Sequence, residues 1–335
     1  MTHADSLGSI GESATLRRIF PRLPAASAQI LGPGDDAAVL AAPDGRFVVT
    51  TDMMIHGPDF RLAWSSAHDL GWKAAASNLA DVAAMGAVPT GLVVAIAAPA
   101  DTPVAFLEGI SDGLRDGCEA LAPGCGVVGG DLSVSNTLTL AVTAFGDLEG
   151  REPVLRSGAS AGDVVAVCGV LGAAAEGLRL LFSRGVVDGI PDAAAAASLR
   201  SEFPVVDAQL APRPPISAGR TAALGGATAM LDLSDGLALD ARRIAAASSV
   251  AIDLDSVAIG SREALDGGED HSLLATFSPD TPLPEGFRVI GAVHALDAVR
   301  ALDTVRAGAD LLVDGRAYEA AGGWDPYADW NGAIG

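Results

Sequence analysis

The chain has 335 residues, 50 % of them hydrophobic, and a formal net charge of -21. That charge excludes non-specific binding to nucleic acid or to an anionic membrane, since both need positive surface. No apolar run reaches the roughly 18 residues of a membrane span, and "MTHADSLGSIGESATLRRIF" has neither the basic nor the apolar stretch of a signal peptide, so a cytoplasmic protein is expected.

Length leaves room for about two domains of roughly 150 residues each. Cys118, Cys125 and Cys168 are odd in number and lack metal-like spacing, which suits buried thiols in a reducing compartment. Lys73 is the only lysine, so an anionic ligand would have to be held by arginine or by a metal ion.

"GPGDDAAV" (Gly32 to Val39) sets Asp35 and Asp36 directly after glycines and before apolar residues. From Phe47, "FVVTTD" reads as a buried strand ending in the carboxylate of Asp52, and "HDLGWKAAASNLADVAAMGA" has helical period and carries Asp81. Strand-like "GLVVAIAAP", helix-like "PVAFLEGISDGLRDGCEAL" and strands at "GVVGGDL" and "TLTLAVTAFGDL" follow. Polar "EGREPVLRSGASAGD" marks a domain junction, giving domains 1–150 and 151–335. The second half alternates again, with strands at "DVVAVCG", "ATAMLDLSD", "VAIDL", "HSLLATF" and "FRVIGAVHAL" and helices at "AAAEGLRLLF" and "LALDARRIAAAS". Between them, "DGIPDAAAAASLRSEFPVVDAQLAPRPP" predicts a surface helix and loop. The tail, "GGWDPYADWNGAIG", holds two of the four tryptophans and reads as either a mobile cover or a fixed staple. The expected class is α/β with two domains.

Asp36, Asp52, Asp131, Asp232 and Asp235 stand beside predicted strand ends or glycines, and Asp81 lies on a helix that can face the same spot. Carboxylates gathered in one pocket repel one another, and burial raises that cost. Oxygen-only ligands without His or Cys suit Mg²⁺, which keeps positions open for phosphate oxygens. Gly32, Gly34, Gly129, Gly130 and Gly236 would let backbone approach a phosphate. An isolated strand-end Asp is more often a cap; several such segments favour a common purpose. No phosphate loop, dinucleotide fingerprint, hydrolase elbow or protein-kinase motif is present.

In order, "GPGDDAAV", "TTDM", "DLGWKAAASNLADVAAMGA", "GGDLS", "LRSGASAGD", "LDLSDGLALD" and "GGEDHSLL" make the chain resemble thiamine-monophosphate kinases, within the superfamily of aminoimidazole-ribonucleotide synthetase. The resemblance implies an N-terminal domain that dimerises through its sheet, and a C-terminal α/β domain completing a cleft for ATP and several Mg²⁺ ions. It implies direct transfer of the γ-phosphoryl group to thiamine monophosphate, without a phosphoenzyme or an obligatory general base. By motif, Asp36, Thr50, Thr51, Asp52, Asp81, Asp131, Asp232 and Asp235 match metal ligands, and Gly130, Asp131, Arg156 and Ser234 match nucleotide contacts. Glu269 and Trp324 match substrate contacts.

The departures cluster on the acceptor side. Asp59 in "GPDF" replaces a substrate-contacting histidine, an exchange expected to weaken phosphate binding unless a metal bridges them or His56 compensates. His271 and Ser272 replace the family's Tyr and Glu. Other readings are a superfamily member with a different acceptor and a nucleotide-binding paralogue without turnover.

Overall fold

The computed structural model describes residues 5–32, 38–300 and 310–324. Asp35 and Asp36 therefore lie outside the described residues.

The N-terminal half is built on a four-stranded sheet in the order Val48–Ile55, Thr139–Asp147, Val88–Ala98, Val127–Val134. Only the last pair is parallel. One face is covered by helices Ala67–Ala84 and Val104–Leu121. The first starts on a capping box: Ser66 Oγ accepts from Asp69 N at 3.1 Å, and Asp69 Oδ2 accepts from Ser66 N at 2.9 Å. The two helices touch backbone to backbone. A Cβ at Gly71 would lie 2.0 Å from Ile110 O, and one at Gly113 would lie 2.0 Å from His68 O, so both positions require glycine. Leu70 and Leu79 are fully buried between helix and sheet, and truncating either to Ala costs roughly 2–5 kcal/mol.

The C-terminal half carries a seven-stranded sheet in the order Ala227–Leu233, Ser272–Phe277, Val164–Cys168, Phe287–Ala295, Val250–Leu254, Leu311–Val313, Arg316–Ala317. Its single parallel pair joins Val250–Leu254 to Leu311–Val313. Both sheets are thus largely antiparallel, and their ligand positions do not follow the rule for parallel α/β sheets that the alternating sequence suggests. Helix Ala67–Ala84 also packs on Ile216–Leu224 and on the Ala227–Leu233 strand. Contact with both halves explains why nearly every residue of this helix is buried.

Two expectations need correction. Asp52 does not end its strand: Met53, Met54 and Ile55 continue the ladder onto Ala141, Leu140 and Thr139. The alanine-rich segment forms helices Ala193–Glu202 and Val206–Leu210, yet it is more than surface. Trp72 Nε1 donates to Pro212 O at 2.7 Å and Lys73 Nζ donates to Gln209 O at 3.3 Å, so this segment closes over the buried helix.

Candidate active site

Three elements bring acids together where the halves meet. Strand Val48–Ile55 supplies Thr50 and Asp52, helix Ala67–Ala84 supplies Asp81, and strand Ala227–Leu233 supplies Asp232. Asp81 sits in the last helical turn, where the helix dipole disfavours negative charge. Burial, and then the neighbouring carboxylates of Asp232 and Asp52, push its pKa up to about 7 against the Thr50 hydroxyl, which donates to it at 2.8 Å, and the weaker opposing effect of His271. Asp52 is raised in the same way, by desolvation first and then by Asp232, Glu269 and Asp235.

Asp232 is buried, and His271 Nδ1 lies 3.2 Å from its Oδ2 while the imidazole Nε2 meets Ser77 Oγ at 3.2 Å. His271 therefore ties the C-terminal strand to the N-terminal helix. Burial opposes its charge, but Asp232 and Glu269 raise its pKa above the ordinary value. Asp235 pairs with Arg243 at 2.6 Å.

The loop between Asp266 and Ser272 aims the next residues. Asp270 accepts from Gly172 N at 2.5 Å and Ala174 N at 2.8 Å, capping helix Ala173–Arg184. This clamp holds Glu269 at φ 73° and His271 at φ 51°, left-handed conformations that cost non-glycine residues about 1 kcal/mol each. Glu269 turns to form an ion pair with Lys73. Burial would raise the Glu269 pKa, yet Lys73 and then His271 hold it below the usual value.

A cavity lies on each side of this cluster. One, of about 780 Å³, is lined by Arg46, Thr50, Asp81, Arg156 and Asp232. The other, of about 470 Å³, takes Asp59, Arg61, Lys73, Ser234, Glu269 and Trp324 into an otherwise largely apolar wall. The backbone N–H of Trp324 donates to Asp235 O at 2.9 Å, so the start of the tail is docked; residues 325–335 lie outside the described residues.

The structure brings Thr50, Asp52, Asp81, Asp232, Arg156, Ser234, Glu269 and Trp324 to one region, with Ser234 in the Trp324 cavity rather than beside Arg156. Thr51 points elsewhere: its hydroxyl donates to Val142 O at 3.0 Å. Gly130 and Asp131 sit on the far edge strand, beside a separate small pocket with Leu16 and Phe20. Asp131 aligns with Ala95, Ala141 and Met53 across successive strands, about 14 Å from the Asp52 strand at the usual strand spacing. Asp131 also stands within its strand and not at the end. Gly130 is needed for sheet packing, because a Cβ there would lie 2.0 Å from Val94 O.

The altered acceptor positions also resolve. His271 and Ser272 do not line the Trp324 cavity; Ser272 Oγ donates to Val170 O at 2.6 Å. Asp59 does line it, and its Oδ2 accepts from Ile55 N at 2.7 Å, closing the turn after the strand. Burial raises the Asp59 pKa. His56 stacks on Phe60 at 5.6 Å and is not among the lining residues. Nothing in the sequence marks Arg61, and neither the Glu269 partner of Lys73 nor the Asp232 partner of His271 is legible there. The signal for Lys73 was its being the sole lysine, set within a helix of apolar and small residues.

Repelling oxygen donors at a domain junction fit a hard divalent ion, which would lower the pKa of Asp81 and Asp52. Among the described residues no three acid, histidine or cysteine side chains converge on one metal position. Oxygens from ligand and water would therefore have to complete the coordination.

Two sheets meeting over such a cluster define a class. Residues 34–148 match the family model "AIR synthase related protein, N-terminal domain". The chain is 42 % identical to the thiamine-monophosphate kinase of Mycobacterium tuberculosis, over 100 % of this chain and 97 % of that one. Among solved structures, AaThiL complexed with AMPPCP and TMP matches at TM-score 0.69 and 29 % identity, covering 86 % of this chain and 90 % of that one. The thiamine-monophosphate kinase from Stenotrophomonas maltophilia matches at TM-score 0.70 and 31 % identity, covering 91 % and 97 %. The chain belongs to the thiamine-monophosphate kinase family.

Proposed function

We propose that the chain is an ATP-dependent kinase that transfers the γ-phosphoryl group to thiamine monophosphate, giving thiamine diphosphate and ADP. The observation that carries this reading is the pair of cavities flanking one carboxylate cluster, together with 42 % identity over the full chain to a kinase of that name. ATP occupies the Arg156 cavity, with its γ-phosphate toward Asp52, Asp81 and Asp232. The acceptor occupies the Trp324 cavity, its phosphate near Ser234 and Glu269. Domain 1–150 supplies the nucleotide, metal and dimer surfaces, and 151–335 completes the site.

Asp36, Thr50, Asp52, Asp81, Asp232 and Asp235 would hold Mg²⁺, with the backbone oxygen of Thr51, and the metal would supply charge neutralisation for the phosphates. Arg156, exposed and without an ion pair among the described residues, adds a permanent positive charge to the nucleotide. Lys73 holds Glu269 ionised beside the acceptor. His271 fixes the Asp232 carboxylate. No residue need remove a proton, because the acceptor phosphate is already an anion.

The reading includes a homodimer. Val49 and Met53 are 60 % and 58 % exposed on one face of the N-terminal sheet, an apolar surface of the kind that pairing covers. Asp131 and Gly130, remote from Asp52 within one chain, would serve a site completed by a second copy. A cytoplasmic setting agrees with three buried free thiols.

The test is release of ADP and thiamine diphosphate from purified protein given Mg²⁺·ATP and thiamine monophosphate, with Asp52→Asn as control. Acceptor-dependent turnover lost on substitution supports the reading. Tight ATP binding with no diphosphate formed would overturn it.

A further inference from the structure

Arg61 is a buried cation that the transfer reaction, as described, leaves unused. It is 8 % exposed and lines the Trp324 cavity, yet its guanidinium donates no hydrogen bond to any described residue. Its neighbours are aromatic: the guanidinium carbon lies 5.9 Å from the Trp64 ring centroid and 5.8 Å from that of Phe182. Both rings are anchored, since Trp64 Nε1 donates to Gly185 O at 2.8 Å and the rings meet edge-on at 5.0 Å. The backbone is fixed as well, with Arg61 O accepting from Trp64 N and Ser65 N at 3.0 Å each. Desolvation lowers the Arg61 pKa, with Asp59 opposing. Cation–π contact with two rings holds the guanidinium in place, and its nitrogens, none of them enclosed without a partner, are open to acceptors that a ligand brings into the cavity.

Arg61 stands at the aromatic wall of the cavity, against Trp64 and Phe182, whereas Lys73 pairs with Glu269, whose backbone N–H donates to Ser234 O at 2.8 Å on the wall that leads to the carboxylates. A flat heterocycle suits the aromatic wall, and the phosphate the other. A guanidinium can only donate. Asp59 uses Oδ2 for Ile55 N and leaves Oδ1 as an acceptor. Donor and acceptor two residues apart, in an aromatic-walled pocket, match a flat heterocycle with a ring nitrogen next to an exocyclic amine.

We propose that Arg61 and Asp59 are the specificity-determining pair of the acceptor site, reading the aminopyrimidine edge of thiamine monophosphate: Arg61 donates to a ring nitrogen and Asp59 accepts from the amine. This rests on the kinase reading above. It also gives the acid at position 59 a purpose, since an anion there is suited to an amine and not to a phosphate.

The test compares thiamine monophosphate with oxythiamine monophosphate, in which the amine becomes a carbonyl and the adjacent nitrogen carries hydrogen, so the edge has reversed polarity. Wild-type protein is assayed first. Turnover absent with thiamine monophosphate and Mg²⁺·ATP overturns the kinase reading and this inference with it. With turnover present, KM for the natural acceptor and the inhibition constant of the oxy analogue are measured for wild type, Arg61→Met, Arg61→Lys and Asp59→Asn. Wild type should favour the natural acceptor at least tenfold. Arg61→Met should raise KM for thiamine monophosphate tenfold or more, leave KM for ATP within a factor of two, and bring the preference near unity. Arg61→Lys, which keeps charge but not the fork, should fall between and shows the effect apart from any folding defect. Equal losses for both acceptors, preserving the preference, would move Arg61 to the phosphate end and overturn the proposal. No change in either would do the same.

Discussion

The two cavities flanking the carboxylates differ in what they are made of. The Arg156 cavity sets Arg46, Arg156, Asp81, Glu152 and Asp232 among apolar residues such as Phe47, Met85 and Leu148, and its charges suit a polyphosphate. The Trp324 cavity also holds charged groups but adds an aromatic wall of Phe60, Trp64, Phe182 and Trp324, and suits recognising shape. Charge neutralisation is common to any polyphosphate chemistry, whereas a shaped apolar wall selects one acceptor. The departure Asp59 falls on the shaped side, as does Arg61, while His271 and Ser272 fall on neither cavity's lining.

The largest effect that would sharpen this contrast is on the charged side. Asp232→Asn should lower kcat by about a thousandfold or more, as loss of a charge-positioning group does, with KM for thiamine monophosphate nearly unchanged. Initial-rate kinetics in both substrates check this, and a change confined to the acceptor KM would break the division.

Next comes the ion pair at the rim of the shaped cavity. Lys73→Met leaves the partly exposed Glu269 unpaired and should destabilise the fold by roughly 1–3 kcal/mol, less than a fully buried pair would. Denaturant melts of Lys73→Met and of the double variant with Glu269→Gln measure it. Recovery in the double variant is expected, and its absence would mean that Lys73 acts through packing.

A smaller effect separates stability from activity at Asp81. Its folded pKa of about 7 exceeds the ordinary value of 3.8. Its protonated form thus favours the fold, a stabilisation fully present below about pH 4 and lost as pH rises toward 7. Metal-free protein should therefore melt lower at pH 7.5 than at pH 5. Mg²⁺ should raise the pH 7.5 melting temperature, and Asp81→Asn should flatten the pH slope while abolishing turnover. A slope unaltered in Asp81→Asn would assign the effect to Asp240, whose pKa burial raises to about 6. The mildest change is Trp324→Ala, expected to raise the acceptor KM several-fold and leave ATP binding alone; an equal change in both would show that the tail serves the two cavities together.

Much of this was legible in the sequence because period and patterning are local. Helix Ala67–Ala84 shows in its small and apolar run, and strands such as Val164–Cys168 and Ser272–Phe277 show in short β-branched or apolar stretches. The acids Asp52, Asp81 and Asp232 were recognisable as a set because repeated strand-associated carboxylates are costly without a shared cation. Thr51 was not separable from Thr50, since which of two adjacent strand residues faces the cluster depends on register. The pairing of Lys73 was hidden because its partner, Glu269, is distant in the chain.

What the sequence by itself determined is the inventory: two α/β halves, an oxygen-rich site with no nitrogen or sulfur ligands, and family membership. Only tertiary structure decided the assignment of residues to places. Strand order carries Asp131 to the edge away from Asp52, the Asp270 clamp turns Glu269 one way and His271 the other, and the proline-rich segment closes over Lys73. Each depends on contacts between segments far apart in the chain, where sheet order, register and packing settle direction, and composition carries no record of direction.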